Sequence, residues 1–119
     1  MLQHVALELD PAVRREAEEF WVLLGFRLVE PPSSLRERSS WVQRGTTQIH
    51  LLFSDEPVVP PEGHAAVVVE DYEATLDALR AAGHQVEERS QHWGAPRAFA
   101  WAPGGHRVEL MARPPSPFS

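Results

Sequence analysis

The chain repeats itself after about 60 residues, and this internal similarity constrains its fold more than any other feature. The segment HVALELD, which starts at His4, resembles HAAVVVED, which starts at His64. Such a repeat indicates two copies of one supersecondary unit that pack against each other and form a shared core. The other matching pairs, at nearly the same offset, are Gly25 with Gly83, Trp41 with Trp101, Gly45 with Gly105, and His50 with Glu109.

The first copy has the pattern of a βαβββ unit. A strand with alternating faces covers residues 4–9, and Asp10 followed by Pro11 is a typical helix start. Apolar residues then recur at helical spacing until Gly25, which is suited to end the helix. Strands are predicted at 26–29, 41–44 and 48–53, with the last two joined as a hairpin around Gly45.

The second copy shows the same order. A strand is predicted at 64–69, then a helix that Asp71 caps and Gly83 ends, then strands at 85–88, 97–102 and 107–111. We therefore predict an α+β fold of two tandem βαβββ modules, with curved mixed sheets around a central cavity and the helices outside. The single domain, 1–119, divides into module 1 (2–53), a proline-rich connector (54–63), module 2 (64–112) and a loose tail (113–119).

Composition excludes several classes of function. The chain has no cysteine, so disulfides, thiolate metal sites and thiol nucleophiles are ruled out. With a formal net charge of −6 and no run of basic residues, it lacks the electrostatic pattern of a nucleic-acid-binding protein. No apolar run is long enough to span a membrane, and no signal-peptide pattern is present. We expect a cytoplasmic protein with no membrane or nucleic-acid partner.

Polar residues at equivalent positions of the repeat predict a metal site. The first strand of each half opens with a histidine, and the last strand of each half places a polar residue between apolar neighbours. Such residues face away from the helices, so the inner faces of two curved sheets could bring them around one ion. Three imidazoles and a carboxylate suit a divalent metal such as Zn, Ni, Co, Mn or Fe. The predicted ligands are His4, His50, His64 and Glu109.

From Leu2 to Met111 the chain resembles the vicinal oxygen chelate superfamily, which includes glyoxalases, bleomycin-resistance proteins and extradiol dioxygenases. The resemblance is carried by HVALELD, LLGF, QIHLL, GHAAVVVED and APGGHRVEL. It implies a divalent metal bound by His4, His64 and Glu109, a small-molecule substrate and a homodimer. His50 falls where glyoxalases carry a glutamate and epimerases a glutamine. The two modules of this fold pair either within one chain or between two chains.

The resemblance implies a glyoxalase-like lyase or isomerase that binds neighbouring oxygens of a small molecule and stabilises an enolate-type intermediate. Glu109 and His50 are the candidates for proton transfer. Two alternatives stay open: a metal-free drug-binding protein of the bleomycin-resistance type, and an Fe(II)- or Mn(II)-dependent dioxygenase. The predicted substrate-binding residues are Glu8, Trp41, Trp93, Arg97 and Trp101.

Two further expectations concern charge and exposure. Glutathione-dependent glyoxalases tend to carry an arginine at the position of Glu8, so a cavity-facing Glu8 would disfavour such an anionic substrate. The remaining histidines lie in predicted turns, where we expect solvated side chains. These residues are His84, His92 and His106.

Overall fold

A computed structural model describes residues 1–115 of the chain. Of the predicted loose tail, residues 116–119 lie outside the described part. The helices are α1 (Arg14–Leu23) and α2 (Tyr72–Ala81). The strands are β1 (His4–Leu9), β2 (Arg27–Val29), β3 (Ser39–Arg44), β4 (Thr47–Phe53), β5 (Ala65–Val68), β6 (Val86–Arg89), β7 (Arg97–Trp101) and β8 (Arg107–Met111).

The first helix begins differently from the prediction. The Asp10 side chain caps the turn by accepting a hydrogen bond from the backbone N–H of Ala12. Pro11 then opens a short 3₁₀ turn, Pro11–Val13, and α1 follows it. Gly25, at φ 93°, takes the left-handed conformation after the helix, where a side chain would be strained. The predicted stop signal is therefore confirmed, while the α-helix starts one turn later.

The strands form two four-stranded mixed sheets, in the orders β1-β4-β3-β2 and β5-β8-β7-β6. Within each sheet, the first strand of the module pairs in parallel with the last, and the other pairs are antiparallel. Each helix packs its apolar stripe on one face of its own sheet. The predicted α+β fold with two βαβββ units is confirmed, and in both sheets the first strand lies at an edge.

The strand register shows which residues of the two modules occupy equivalent positions at the centre of each sheet. Ala6 lies opposite His50, and Ala66 lies opposite Glu109. On the other side of the last strand, Trp41 lies opposite His50 and Phe99 lies opposite Glu109. The sequence match of Trp41 with Trp101 is therefore wrong, because the β7–β8 turn is longer than the β3–β4 turn and shifts the register.

In each module, a residue beside the hairpin turn donates a hydrogen bond to the first strand of the other module. Arg44, at the β3–β4 turn, donates from Nη1 to the Val68 carbonyl at 2.6 Å. His106, at the β7–β8 turn, donates from Nε2 to the Glu8 carbonyl at 2.7 Å. His106 is 6% exposed, so its predicted solvated position is wrong. It satisfies a carbonyl on the free edge of β1, an unpaired group that burial would otherwise penalise.

Among residues 1–115, neither helix has the length and the apolar character that a membrane crossing requires.

Tyr72, the first residue of α2, offers a direct check on how the second helix packs. Its hydroxyl donates to Oε1 of Glu88 on β6 at 3.2 Å, and burial, with the Glu88 charge, raises its pKa to about 12. Because the folded chain favours the neutral phenol, this contribution to stability is complete below pH 10 and is lost as the pH rises towards 12. Tyr72 is the one tyrosine of the chain, so near-ultraviolet phenolate absorbance reports it alone. We expect Glu88→Gln to lower the titration midpoint, and an unperturbed midpoint in the wild type would contradict this packing.

Candidate functional site

His64 and Glu109 form a close pair on the inner face of the second sheet. Nε2 of His64 lies 3.1 Å from Oε1 of Glu109. Nδ1 of His64 donates to the carbonyl of Glu62 at 2.8 Å, which fixes the ring orientation. Glu109, at the centre of β8, has a side chain that is 11% exposed, whereas the side chain of His64, just before β5, is 28% exposed. The pair therefore has a buried carboxylate and an accessible imidazole.

Arg97 holds the other oxygen of Glu109. Its Nη1 lies 3.3 Å from Oε2 of Glu109, and its Nε donates to the Ser90 carbonyl at 2.8 Å. Both side chains of this ion pair are mostly buried, at 13% and 11% exposure. Low exposure strengthens such a charge-assisted contact. Arg97 thus orients the carboxylate and leaves Oε1 directed towards His64.

His4 and His50 form a second pair on the inner face of the first sheet. The rings are stacked with centroids 4.0 Å apart, and the other face of His50 stacks on Trp41 at 3.8 Å. Nε2 of His50 lies 2.8 Å from the amide oxygen of Gln48. His50 is buried and His4 is exposed. The His50 ring is thus held in place, while His4 covers it from the solvent side.

The environment of His50 favours its neutral form. Burial lowers the pKa of His50, and the nearby charge of His4 lowers it further. A neutral imidazole has a free nitrogen lone pair, which is the form that binds a metal or accepts a proton.

The structure thus brings the four predicted ligands together as two separate pairs. Within residues 1–115, no group of three or more histidine, aspartate or glutamate side chains is placed to hold a metal ion. One pair lies on each sheet, at positions that the repeat makes equivalent. Each pair by itself supplies half of the predicted ligand set.

Of the five predicted substrate-binding residues, three make contacts elsewhere in the structure. The Glu8 carboxylate accepts a hydrogen bond from the backbone N–H of Val58 in the connector, at 3.3 Å. Trp93 donates from its indole to the Arg113 carbonyl at 2.9 Å and fastens its loop to the segment after β8. Trp101 is half-buried, with its ring 6.4 Å from that of Phe99. Among these residues, only Trp41 and Arg97 contact the candidate pairs.

Sequence reasoning singled out Arg97 but missed Phe99 and Arg89, which lie beside it. The ring of Phe99 packs edge-on against His64 at 4.9 Å. The guanidinium groups of Arg89, Arg97 and Arg107 lie 5.1, 5.8 and 4.7 Å from the centre of the same ring. We call these three residues the arginine cluster. The alternation of Arg97, Phe99 and Trp101 along β7 was the available signal, because alternate strand residues share a face.

Comparisons with known proteins place the chain in a family. The model of the Glyoxalase/Bleomycin resistance protein/Dioxygenase superfamily matches residues 15–110. No curated protein sequence was found to match the chain.

Solved structures share the fold. A glyoxalase family protein from Bacillus anthracis is 22% identical, with 93% of each chain covered and a TM-score of 0.83. Oxidase ChaP-H2 is 20% identical over 98% of this chain and 95% of its own, with a TM-score of 0.77. A lactoylglutathione lyase from Agrobacterium tumefaciens is 17% identical over 93% and 92%, with a TM-score of 0.70. Because the family model covers most of its length, the chain belongs to the glyoxalase/bleomycin resistance protein/dioxygenase superfamily.

Proposed function

We propose that this protein is a metal-dependent lyase or isomerase that acts on a small molecule with neighbouring oxygen atoms. The observation that carries the proposal is the His64–Glu109 pair, whose Nε2 and Oε1 atoms lie 3.1 Å apart. Two ligands of one divalent ion, each about 2.0–2.2 Å from the metal, lie roughly 2.8–3.6 Å apart when the ligand–metal–ligand angle is about 90–110°. The spacing of the pair therefore suits a shared ion.

The surroundings of the pair also suit metal binding. Histidine ligands commonly donate their second ring N–H to a carbonyl or carboxylate, as Nδ1 of His64 does to Glu62. Ligating carboxylates are in turn hydrogen-bonded, as Glu109 is by Arg97. A divalent ion held there would supply Lewis-acid chemistry, polarising neighbouring oxygens of a bound substrate.

We further propose that two copies of the chain complete each site, with His4 and His50 of one copy facing His64 and Glu109 of the other. The other module contacts β1 and β5 near their carboxyl-terminal ends, at the Glu8 and Val68 carbonyls. His4 and His64 lie at the opposite ends of these edge strands and are exposed, so those ends are accessible to a second copy. The stacked rings of His4 and His50 direct their lone pairs within nearly parallel planes. In this arrangement the two rings cannot bind the same ion together. Because Trp41 and Gln48 hold His50, we expect the exposed His4 ring to turn on assembly.

When it is displaced from the metal, His50 is the proposed proton acceptor, because its one lone pair cannot bind an ion and a proton at once. Its lowered pKa keeps it neutral near pH 7, and the Trp41 stack with Gln48 fixes the ring. A positioned base of this kind typically contributes about 10²–10⁴-fold to the rate. Glu109, oriented by Arg97, is the second group suited to handle a proton at this site.

Metal analysis of the untagged protein tests the proposal. We expect the purified chain to bind one divalent ion per site with better than about micromolar affinity, and the affinity to fall below roughly pH 6, where histidines become protonated. Titration calorimetry at several pH values measures both. Binding weaker than micromolar for Zn, Ni, Co, Mn and Fe(II) alike would contradict the proposal.

A metal-free binding protein is the second candidate function, and one observation favours it. A cleft of about 620 Å³, which suits a drug-sized molecule, lies between the modules and is lined mainly by apolar residues such as Val5, Ile49 and Val68. Tight binding of an apolar drug without metal, and no turnover, would favour this candidate. Oxygen uptake in the presence of Fe(II) or Mn(II) would distinguish the dioxygenase alternative from both of these candidates.

A further inference from the structure

We propose that the arginine cluster binds the oxyanion of an acidic substrate, with Arg107 as the main recognition group. This inference rests on the proposed function in one respect: it takes the His64–Glu109 pair as the reacting centre. The cluster is unusual in a chain whose formal net charge is −6, because three of its 11 basic residues surround one phenylalanine ring. Where the charge of such a cluster is not fully balanced by carboxylates, it attracts an oxyanion.

The members of the cluster differ in how far their charge is already balanced. Arg97 pairs with the buried carboxylate of Glu109, and Arg89 pairs with Glu87 at 3.2 Å. Arg107 has a weaker partner, since its Nη2 lies 3.9 Å from the carboxylate of Glu62, which is 93% exposed. A solvent-exposed ion pair at that distance contributes little. Arg107 therefore has the least neutralised charge of the three.

The hydrogen-bond donors of Arg107 are also incompletely used. Nη2 donates to the Glu62 carbonyl at 3.0 Å, whereas Nε is buried and has no partner within residues 1–115. The guanidinium group lies 4.7 Å from the centre of the Phe99 ring, a distance typical of a cation–π contact. Because Nε is closed to solvent, an oxyanion would be bound through the terminal N–H groups of the guanidinium, which are suited to carboxylate and phosphate oxygens.

The position of Arg107 connects it with the candidate centre. Arg107 and Glu109 are two residues apart on β8, so their side chains share a face and their backbones lie about 7 Å apart. An oxyanion at Arg107 would place the rest of a small organic acid beside His64 and Glu109. The Glu8 carboxylate is oriented towards the connector, where it accepts a hydrogen bond from the backbone N–H of Val58.

Calorimetry with three simple ligands tests this inference: benzoate, its neutral counterpart benzamide, and inorganic phosphate. We expect benzoate or phosphate to bind the full chain at least about 10-fold more tightly than benzamide, a difference of about 1.4 kcal/mol. Tighter binding of benzoate would identify a carboxylic acid, and tighter binding of phosphate would identify a phosphate ester. Equal binding of benzoate, phosphate and benzamide would overturn the inference.

Arg107→Gln should remove most of the preference for the anion, and Arg107→Lys should retain part of it. The matched control is Arg36→Gln, which removes an exposed arginine of the first module that pairs with Glu30. Arg89→Gln serves as a second variant, and circular dichroism checks that each one folds. An equal effect of Arg107→Gln and Arg36→Gln would contradict the assignment.

Repeating the titrations with a chelator separates this inference from the proposed function. Anion binding that persists with the chelator and depends on Arg107 supports the oxyanion site even if metal analysis fails. Loss of the anion preference in a chain that still binds metal overturns the oxyanion site and leaves the metal site standing.

Discussion

Replacing Glu109 with alanine is expected to lower the affinity for a divalent ion by about 100-fold or more. Loss of residues that merely support a metal ligand already costs about 10–100-fold, so loss of a ligand should reach at least the upper end of that range. The substitution also leaves Arg97 with an unpaired, mostly buried charge next to the site. His64→Ala should have a similar effect, because Nε2 of His64 and Oε1 of Glu109 would share the ion.

The matched control is Glu87→Ala, which removes another carboxylate from the same sheet. Glu87 lies on β6, directly opposite Phe99 of β7. Its side chain is 45% exposed and forms an ion pair with Arg89. We expect Glu87→Ala to change metal affinity less than threefold, which is small beside the loss expected for Glu109→Ala. Competition titration with a metal indicator measures both variants. Equal affinity in Glu109→Ala and the wild type would remove Glu109 from the ligand set.

Trp21→Ala is expected to lower the free energy of unfolding by about 3–5 kcal/mol. Trp21 is 1% exposed in α1, and its ring packs edge-on against Phe20 and Phe26 at 5.6 and 5.2 Å. Truncation removes a large apolar side chain and leaves a cavity that its neighbours fill only in part. A domain of this size has about 5–15 kcal/mol of stability, so the loss is a substantial share of it.

Chemical denaturation measures this loss, with Val22→Ala as the control. Val22 is the next residue of α1, and it is 49% exposed. Its truncation should change stability by about 0.5 kcal/mol or less. Similar losses for the two variants would contradict the packing of α1 on the first sheet.

The fold was predictable because its signals are local and occur twice. The Asp10 and Asp71 caps, the glycines after both helices and the alternating strands each specify one element, and the repeat relates the two sets. The local sequence pattern did not predict the register of the strands. The β7–β8 turn is longer than its counterpart, so Phe99 took the place that sequence comparison assigned to Trp101.

The sequence predicted on which face of each strand the candidate residues lie, but only part of the contacts that they make. Parity along the strands placed His50 and Glu109 on the inner faces, and register confirms that they are equivalent. The side-chain contacts depend on residues distant in the chain. The Trp41 stack on His50, the Arg97 contact with Glu109 and the burial of His106 against Glu8 all cross between strands or modules, where one sequence carries little signal.

The most direct test of the central claim is metal binding by a mixed dimer, because each site is proposed to need two copies. One chain carries His4→Ala and His50→Ala, and the other carries His64→Ala and Glu109→Ala. The two are co-expressed with different histidine-free tags, and the heterodimer is isolated through both.

Each homodimer should be empty, since every site in it lacks one pair. The heterodimer should regain one intact site of two, and so about half of the wild-type metal content. Half occupancy in the heterodimer, with empty homodimers, is the result that the account predicts. A heterodimer as empty as its parents, or a metal-bound wild type that is monomeric in solution, would contradict it.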